Sequence, residues 1–351
     1  MTSNQNAGSN EIKGDRTPFE LAIEQARDGE DLSVDQTGDL IDMMLRGEAD
    51  EDQIGSLLLQ LREKGEAVSE IVGAARAMRK HMTRIPHSHQ VLLDTCGTGG
   101  SESGSFNIST GIAIVTAACG VAVAKHGNRK ATSVTGSADV LEELGVPIES
   151  DAESVARRLD QIGLCFCFAV KLHPAMKHVV GVRRKLGVKT LFNLLGPLCN
   201  PAGATHQLLG TSSPESQEKI AEAIGQLSTT RSFVVHAADG QDEVSLDRYT
   251  DVFEVSGNEV AGRTRWTPAD FGLLPAGVES LAASGPAESA AIIRRILEGE
   301  PGPKRDTVVA GTAAALSLTG AATGLSDGVR MAQEAIDSGA AKEKLQQLAN
   351  S

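Results

Sequence analysis

A chain of 351 residues is too long for one small core and suits two domains or one large α/β domain with an appendage. Its net charge of −13, isoelectric point near 5.1 and 3% aromatic content argue against nucleic-acid binding and against attraction to an anionic membrane. No apolar run approaches a membrane span, and five cysteines without C-x-x-C or metal-finger spacing point to a reducing, cytoplasmic setting.

Residues 1–16 are polar, lack the apolar segment of a signal peptide, and are expected to form a disordered tail. From Thr17 the pattern becomes helical. Thr17-Pro18 starts a first helix in which Leu21, Ala22 and Ala26 recur at helical spacing. Ser33 with Gln36, and Asp50 with Gln53, have capping-box spacing ahead of the apolar sets Leu40, Ile41, Met44 and Ile54, Leu57, Leu58. A fourth helix is predicted from near Ser69 through Ile71, Val72, Ala75 and Met78. Together these make a small bundle over residues 17–85 with no catalytic pattern of its own.

Beyond the loop at 85–89, strands alternate with helices. Strands are predicted at 91–94, 121–124, 165–170, 207–210 and 232–236, with helices at 109–118, 137–144 and 214–227. A short strand follows at 249–255, and the Ala-rich stretch from Gly285 onward reads as helical. Such alternation implies a mainly parallel sheet covered on both faces.

Four segments carry chemistry. The first runs from Asp94 to Thr110, where a strand leads through Gly97, Gly99, Gly100 and Gly104 into a helix near Ser109. That turn can aim backbone N–H groups and a helix N-terminus at phosphate oxygens, although it matches neither the dinucleotide nor the Walker pattern. The second is Lys125-His-Gly-Asn-Arg-Lys130, read as emerging directly after the second strand at the same sheet edge. There Lys125 offers a positive charge to phosphate, while His126 and Asn128 offer hydrogen bonds to a second substrate.

The third is the pair Asp242-Glu243 after the strand at 232–236, hard oxygen ligands of the kind that hold Mg²⁺ together with substrate phosphates. In an acidic protein such a pair is equally compatible with plain surface. The fourth spans His173 to Pro201 and includes Arg183, Arg184 and Lys185, a basic run that can bind a carboxylate through one guanidinium or equally face solvent.

Taken together, D-T-C-G-T-G-G, N-I-S-T, K-H-G-N-R, G-S-A-D-V-L-E-E-L-G, H-P-A-M-K, F-N-L-L-G-P-L-C-N-P and D-G-Q-D-E-V-S resemble the anthranilate phosphoribosyltransferases, from about Leu32 to the C-terminus. The resemblance implies an α/β fold with a small N-terminal helical bundle domain (residues 17–85, completed by helices from about 174–200). A larger domain (86–351) then carries a mainly parallel central sheet flanked by helices and binds phosphoribosyl diphosphate. It implies that Gly97, Gly100, Ser101, Ser105, Asn107, Ser109, Thr110, Lys125, Ser133 and Ser137 hold 5-phosphoribosyl 1-diphosphate (PRPP). Gly97, His126, Asn128, Arg183 and Pro197 would then form the anthranilate pocket, with Arg183 facing the carboxylate. Two Mg²⁺ ions are implied, one on Ser109 and Glu243 and one on Asp242 and Glu243, with Lys125, Asp242 and Glu243 as the catalytic set. A homodimer joined through the helical domains is implied as well.

The chain departs from the family pattern at Ser101, where Asp is common, at Lys130 and Val134, where a positive charge has moved by four positions, and at Lys171. Three other readings differ in class: a pyrimidine nucleoside phosphorylase, a nucleic-acid-binding paralogue, and a scaffold without catalysis. The acidic charge disfavours the second, and the presence of Lys125, Asp242 and Glu243 disfavours the third.

Overall fold

A computed structural model describes residues 16–99, 103–130 and 135–351. The expected tail lies almost wholly outside these residues. So do Gly100, Ser101, Ser133 and Val134.

The four N-terminal helices form as the caps predict. Helix α1 (Pro18–Arg27) is capped by Thr17, α2 (Val34–Arg46) by Ser33 and α3 (Glu51–Lys64) by Asp50, each cap side chain accepting from the backbone N–H three residues on. An N-cap of this kind stabilises a helix by ~1 kcal/mol. Helix α4 (Val68–His81) starts on Ala67 instead, and its buried Glu70 accepts hydrogen bonds from Leu32 N (2.9 Å) and Lys64 Nζ (3.2 Å), which ties three helices together.

The sheet follows. Strand β1 (Leu93–Gly97) leads to helix α5 (Ile108–Ala118), β2 (Val123–Gly127), α6 (Ser137–Glu143), α7 (Ala152–Ile162) and β3 (Leu164–Phe168). The short helix α8 (Ala169–Leu172), a 3-10 turn at Pro174–His178, α9 (Val180–Leu186) and α10 (Leu191–Leu195) carry the chain back against the bundle. Then come β4 (His206–Gly210), α11 (Pro214–Gly225), β5 (Arg231–Ala237), β6 (Thr250–Ser256) and β7 (Glu259–Trp266). Helices α12 (Pro286–Leu297), α13 (Pro303–Thr319), α14 (Leu325–Asp337) and α15 (Ala340–Ala349) close the chain.

The strand order is β3-β2-β1-β4-β5-β6-β7, parallel from β3 to β5 and antiparallel beyond. One sheet face packs on α5, α12, α13 and α14 through Phe106, Ile112, Val235 and Val308. Part of the other packs on α4, α10 and α11, where Leu209 and Val234 join Ile71, Leu191 and Ile220. The sheet runs outward from β1 in both directions, so the crevice at the C-terminal ends of β1 and β4 is the switch point where α/β folds bind ligands. Among the described residues no helix is long and apolar enough to cross a membrane.

Strands β1 and β2 are displaced later than predicted, and β3 earlier. Both β1 and β2 begin and end later than their apolar runs, because Cys96, Gly97, Lys125, His126 and Gly127 continue the ladder. Lys125 therefore lies within β2 and is only 3% exposed, rather than emerging after it. Strand β3 stops at Phe168, and Val170, predicted as strand, sits on α8 with 61% of its surface exposed. Strand β7 gives no sequence signal, since every residue but Trp266 is exposed on this edge. Cys165 and Cys167, two apart on β3, point to the same side of the sheet, with their sulfurs 4.0 Å apart.

Candidate active site

The end of β1 and the end of β4 meet as two glycines, Gly97 opposite Gly210. No side chain fits at either place. A Cβ on Gly97 would lie 2.6 Å from Asp242 Oδ2, and one on Gly210 would lie 1.6 Å from the Asp242 carbonyl oxygen. The absence of both lets the loop after β5 descend onto the sheet edge and bring its carboxylates to the glycine-rich turn. There Asp242 Oδ2 accepts from Gly99 N (3.2 Å), with Gly99 in the left-handed region at φ +69°. Glu243 Oε1 accepts from Ser109 N (3.1 Å) in the first turn of α5. Burial, and then the Asp242 charge beside it, push the Glu243 carboxyl up to about 8.

Lys125 lies beneath this arrangement. Its Nζ donates to Thr95 O (2.7 Å) and to Ser109 Oγ (3.0 Å), and burial lowers its affinity for the proton. The charge is thus held under the N-terminus of α5 rather than on the β2 loop. Asn107 caps α5 and its Oδ1 accepts from Thr110 Oγ1, so Thr110, fully buried, shapes the turn from behind. Ser105 contacts Ser103 Oγ (3.0 Å), and the turn is pinned through Phe106 N to Leu281 O (2.9 Å) and Asn107 N to Ser289 Oγ (2.8 Å).

On the β2 side, Asn128 is exposed at the cavity with Ser137 beside it, the Ser137 hydroxyl donating to Asn128 O (3.5 Å). Arg129 is not free for phosphate: its guanidinium is bound by Asp139 and Glu142 of α6. The cavity these residues enclose, about 250 Å³, includes Gly97, Ser109, Lys125, Asn128, Asp242 and Glu243 in its walls. It opens past Thr98, Gly99, Ser103 and Asn193 into a cleft of about 880 Å³ reaching Arg62 of α3 and Glu66 just beyond that helix.

The other side of the cleft, where the segment 173–197 runs from the sheet to the bundle (the hinge side), is built differently. His126 Nδ1 donates to Gly196 O (2.9 Å), which leaves its Nε2 to accept from His173 Nε2 (3.2 Å). Burial lowers His126 to about 3 and His173 to about 4, so both rings are neutral. Both ring nitrogens of His126 thus have protein partners in this arrangement. Pro197 is buried next to this contact, its carbonyl accepting from Gln207 Nε2 (2.6 Å). Arg183 sits behind Asn193, donating to its Oδ1 (3.4 Å), with the guanidinium 5.4 Å from the centre of the Phe192 ring. Burial lowers its affinity for the proton, and no carboxylate pairs with it among the described residues. Lys171, one of the departures, pairs with Glu149 away from the cleft.

Sequence reading missed Gly210, whose position at the end of a Leu-Leu-Gly strand was its only signal, as well as Asn193 and His173. No group of three or more His, Cys, Asp or Glu side chains converges among the described residues. A cation here would therefore rest on two carboxylates and oxygens of the substrate, a donor set that suits Mg²⁺. The adjacent Asp242 and Glu243, with the Glu243 carboxyl pushed up first by burial and then by the neighbouring Asp242 charge, fit a divalent partner.

Comparisons with known proteins agree with this geometry. Residues 21–82 match the helical bundle domain of the glycosyl transferase family and residues 89–342 match its a/b domain. The anthranilate phosphoribosyltransferase of Rhodopirellula baltica is 68% identical over 331 residues, covering 94% of this chain and 96% of the relative. The crystal structure of the Thermus thermophilus enzyme superposes with a TM-score of 0.88 at 42% identity, covering 94% of this chain and 98% of the other. The Saccharomyces cerevisiae enzyme in complex with PRPP and Mg gives the same TM-score at 27% identity, covering 95% and 97%. The chain belongs to the anthranilate phosphoribosyltransferases of the glycosyl transferase family.

Proposed function

We propose that the β1/β4 edge of this chain holds PRPP and Mg²⁺ while the hinge side holds anthranilate, and that the anthranilate amine displaces diphosphate from C1 to give N-(5-phosphoribosyl)anthranilate. The observation that carries this reading is the convergence of the glycine turn, the α5 N-terminus and the Asp242–Glu243 pair over Gly97 and Gly210. The yeast relative's complex with PRPP and Mg supports it.

In this reading Gly97, Ser105, Asn107, Ser109, Thr110 and Ser137 shape and line the PRPP cradle, with Gly100, Ser101 and Ser133 completing it outside the described residues. Asp242 and Glu243, with Ser109, hold two Mg²⁺ ions, which when bound neutralise the diphosphate as it leaves. Lys125 adds a fixed positive charge under Ser109. Backbone N–H groups at Gly99 and Ser109 turn from the carboxylates to phosphate oxygens as substrate arrives. Arg183 meets the anthranilate carboxylate, Asn128 and Pro197 bound the ring, and His126 supports that wall from behind. An aromatic amine loses its proton readily after C–N bond formation, so the residues need only orient the reactants and exclude water.

The division into a helical domain over 17–85, completed by 174–200, and an α/β domain over 86–351 is part of the same proposal. So is a homodimer through the helical domains, supported by an open groove between α1 and α2 that includes Leu21, 51% exposed, and Met43. Five unpaired cysteines accord with a cytoplasmic setting. The test is loss of anthranilate fluorescence with PRPP and Mg²⁺. Rapid loss is expected, and no turnover with anthranilate alongside phosphorolysis of uridine would assign the chain to the nucleoside phosphorylases instead.

A further inference from the structure

Asp242 and Glu243 stand on a loop, where side chains are free to wander unless something fixes the backbone. The connection from β5 to β6 is organised around a third acid, Asp239. Its Oδ1 accepts from Gln241 N (3.0 Å), and its Oδ2 accepts from Gln241 Nε2 (2.8 Å) and from Ser245 Oγ (2.5 Å). Gln241 precedes the Asp242–Glu243 pair and Ser245 follows it, so one carboxylate draws together both ends of the segment that presents the pair.

The same segment is anchored on all sides. Ala237 N donates to Gln241 O (3.1 Å), Ser245 N donates to Thr250 Oγ1 (2.9 Å), and Asp247 N donates to Ser245 Oγ (3.0 Å). Val244 and Leu246 are buried in the core, and Gln241 and Ser245 are buried too. From below, Gly210 admits the Asp242 backbone where any Cβ would collide with it. Asp239 also borders the outer cleft, which invites its reading as one more metal ligand. Both of its oxygens are already occupied by donors of its own loop, so it serves as a brace.

We propose that Asp239 is a positioning residue for the reaction: with Gly210 as the seat, its carboxylate fixes where Asp242 and Glu243 stand and so sets the affinity of the site for its divalent cation. The proposal rests on the assignment of Asp242 and Glu243 as the metal-holding pair, and its test separates the two. Manganese(II) binding is measured by electron paramagnetic resonance on the full chain with diphosphate present, beside a magnesium titration of turnover.

Asp239→Asn keeps the size of the side chain, but its amide nitrogen cannot accept from Gln241 or Ser245. Manganese affinity and the magnesium midpoint are expected to weaken about 10- to 100-fold, the usual range for losing a group that orients a metal ligand, with KM for anthranilate unchanged. Ser245→Ala removes one of the three donors and is expected to give a smaller loss. The double variant should be no weaker than Asp239→Asn alone, because the two share one bond. Wild-type manganese binding by Asp239→Asn, or strict additivity in the double variant, overturns the brace. Should Asp239→Asn fail to fold, Ser245→Ala decides alone, weakened binding supporting the brace and wild-type binding overturning it. Glu243→Gln is the control: if it too binds manganese normally, the metal assignment itself fails, whereas loss in Glu243→Gln with retention in Asp239→Asn removes only the brace.

Discussion

On the phosphate side of the cleft, Asp242 and Glu243 each accept a hydrogen bond from a backbone N–H of the glycine-rich turn or the α5 N-terminus; on the hinge side, a partly buried guanidinium, Arg183, has no carboxylate opposite it among the described residues. The two sides therefore meet their ligands in different ways. A diphosphate approaching Gly99 and Ser109 must take N–H donors that already have partners, so the exchange by itself gains little, and the net gain comes from added charge complementarity. A carboxylate approaching Arg183 meets a charge whose desolvation cost was already met by folding, so the new ion pair has only the carboxylate's own desolvation and the cost of association to offset. In the proposed function the phosphate side thus serves turnover and the hinge side selection of the acceptor.

The sharpest way to break this contrast is on the phosphate side. Glu243→Ala removes the carboxylate that spans the α5 N-terminus and the Asp242 pair. Turnover is expected to fall at least about 100- to 1,000-fold in kcat, the scale of losing one group aimed at developing charge. Saturation kinetics with fluorescent anthranilate measure it, and a wild-type kcat would remove Glu243 from the mechanism.

The hinge side should respond in KM instead. Arg183→Ala deletes a charge-assisted hydrogen bond worth ~1.5–3 kcal/mol, so KM for anthranilate is expected to rise about 10- to 100-fold. KM for PRPP should stay close to that of the wild type. Arg183→Lys, which keeps the charge and loses the planar fork, should fall between the two. Equal losses for both substrates would show that Arg183 supports the fold of α9 and not the acceptor.

How much of this was visible in the sequence follows the same divide. The bundle was legible almost to the residue, because Thr17, Ser33 and Asp50 are local caps whose partners lie three residues away. The core of each parallel strand was legible, but the ends of β1 and β2 were not. Gly97, Lys125, His126 and Gly127 break the apolar pattern and yet continue the ladder, since their pairing is decided by neighbouring strands. Residue types alone pointed to a phosphate-binding turn and left the Asp242-Glu243 pair open between metal and surface; the family resemblance closed that gap. It could not show that His126 is turned onto Gly196 and His173. That contact joins residues 47 positions apart and depends on how α8 returns the chain. Nor could it show Gly210 or Asp239 at work, because each acts through a close approach that only the folded backbone creates.

A last test asks whether the hinge side is a dry wall, as the neutral His126–His173 pair implies. Both rings are held below the ordinary histidine value by burial, His126 to about 3 and His173 to about 4. The unfolded chain takes up protons at these positions below pH ~6.5 while the folded chain does not until about 4 and then 3, so the unfolded state binds more protons throughout that window. Stability from these groups is therefore complete above pH ~6.5 and is lost as pH falls toward 4, by up to ~1.4 kcal/mol per pH unit for each ring. Urea midpoints between pH 4 and 7 should fall more gently in His173→Gln than in the wild type, even though the variant starts lower at pH 7. Parallel curves would mean that the pair takes up a proton freely in the folded chain, and the hinge wall would then be wet and no different in kind from the phosphate side.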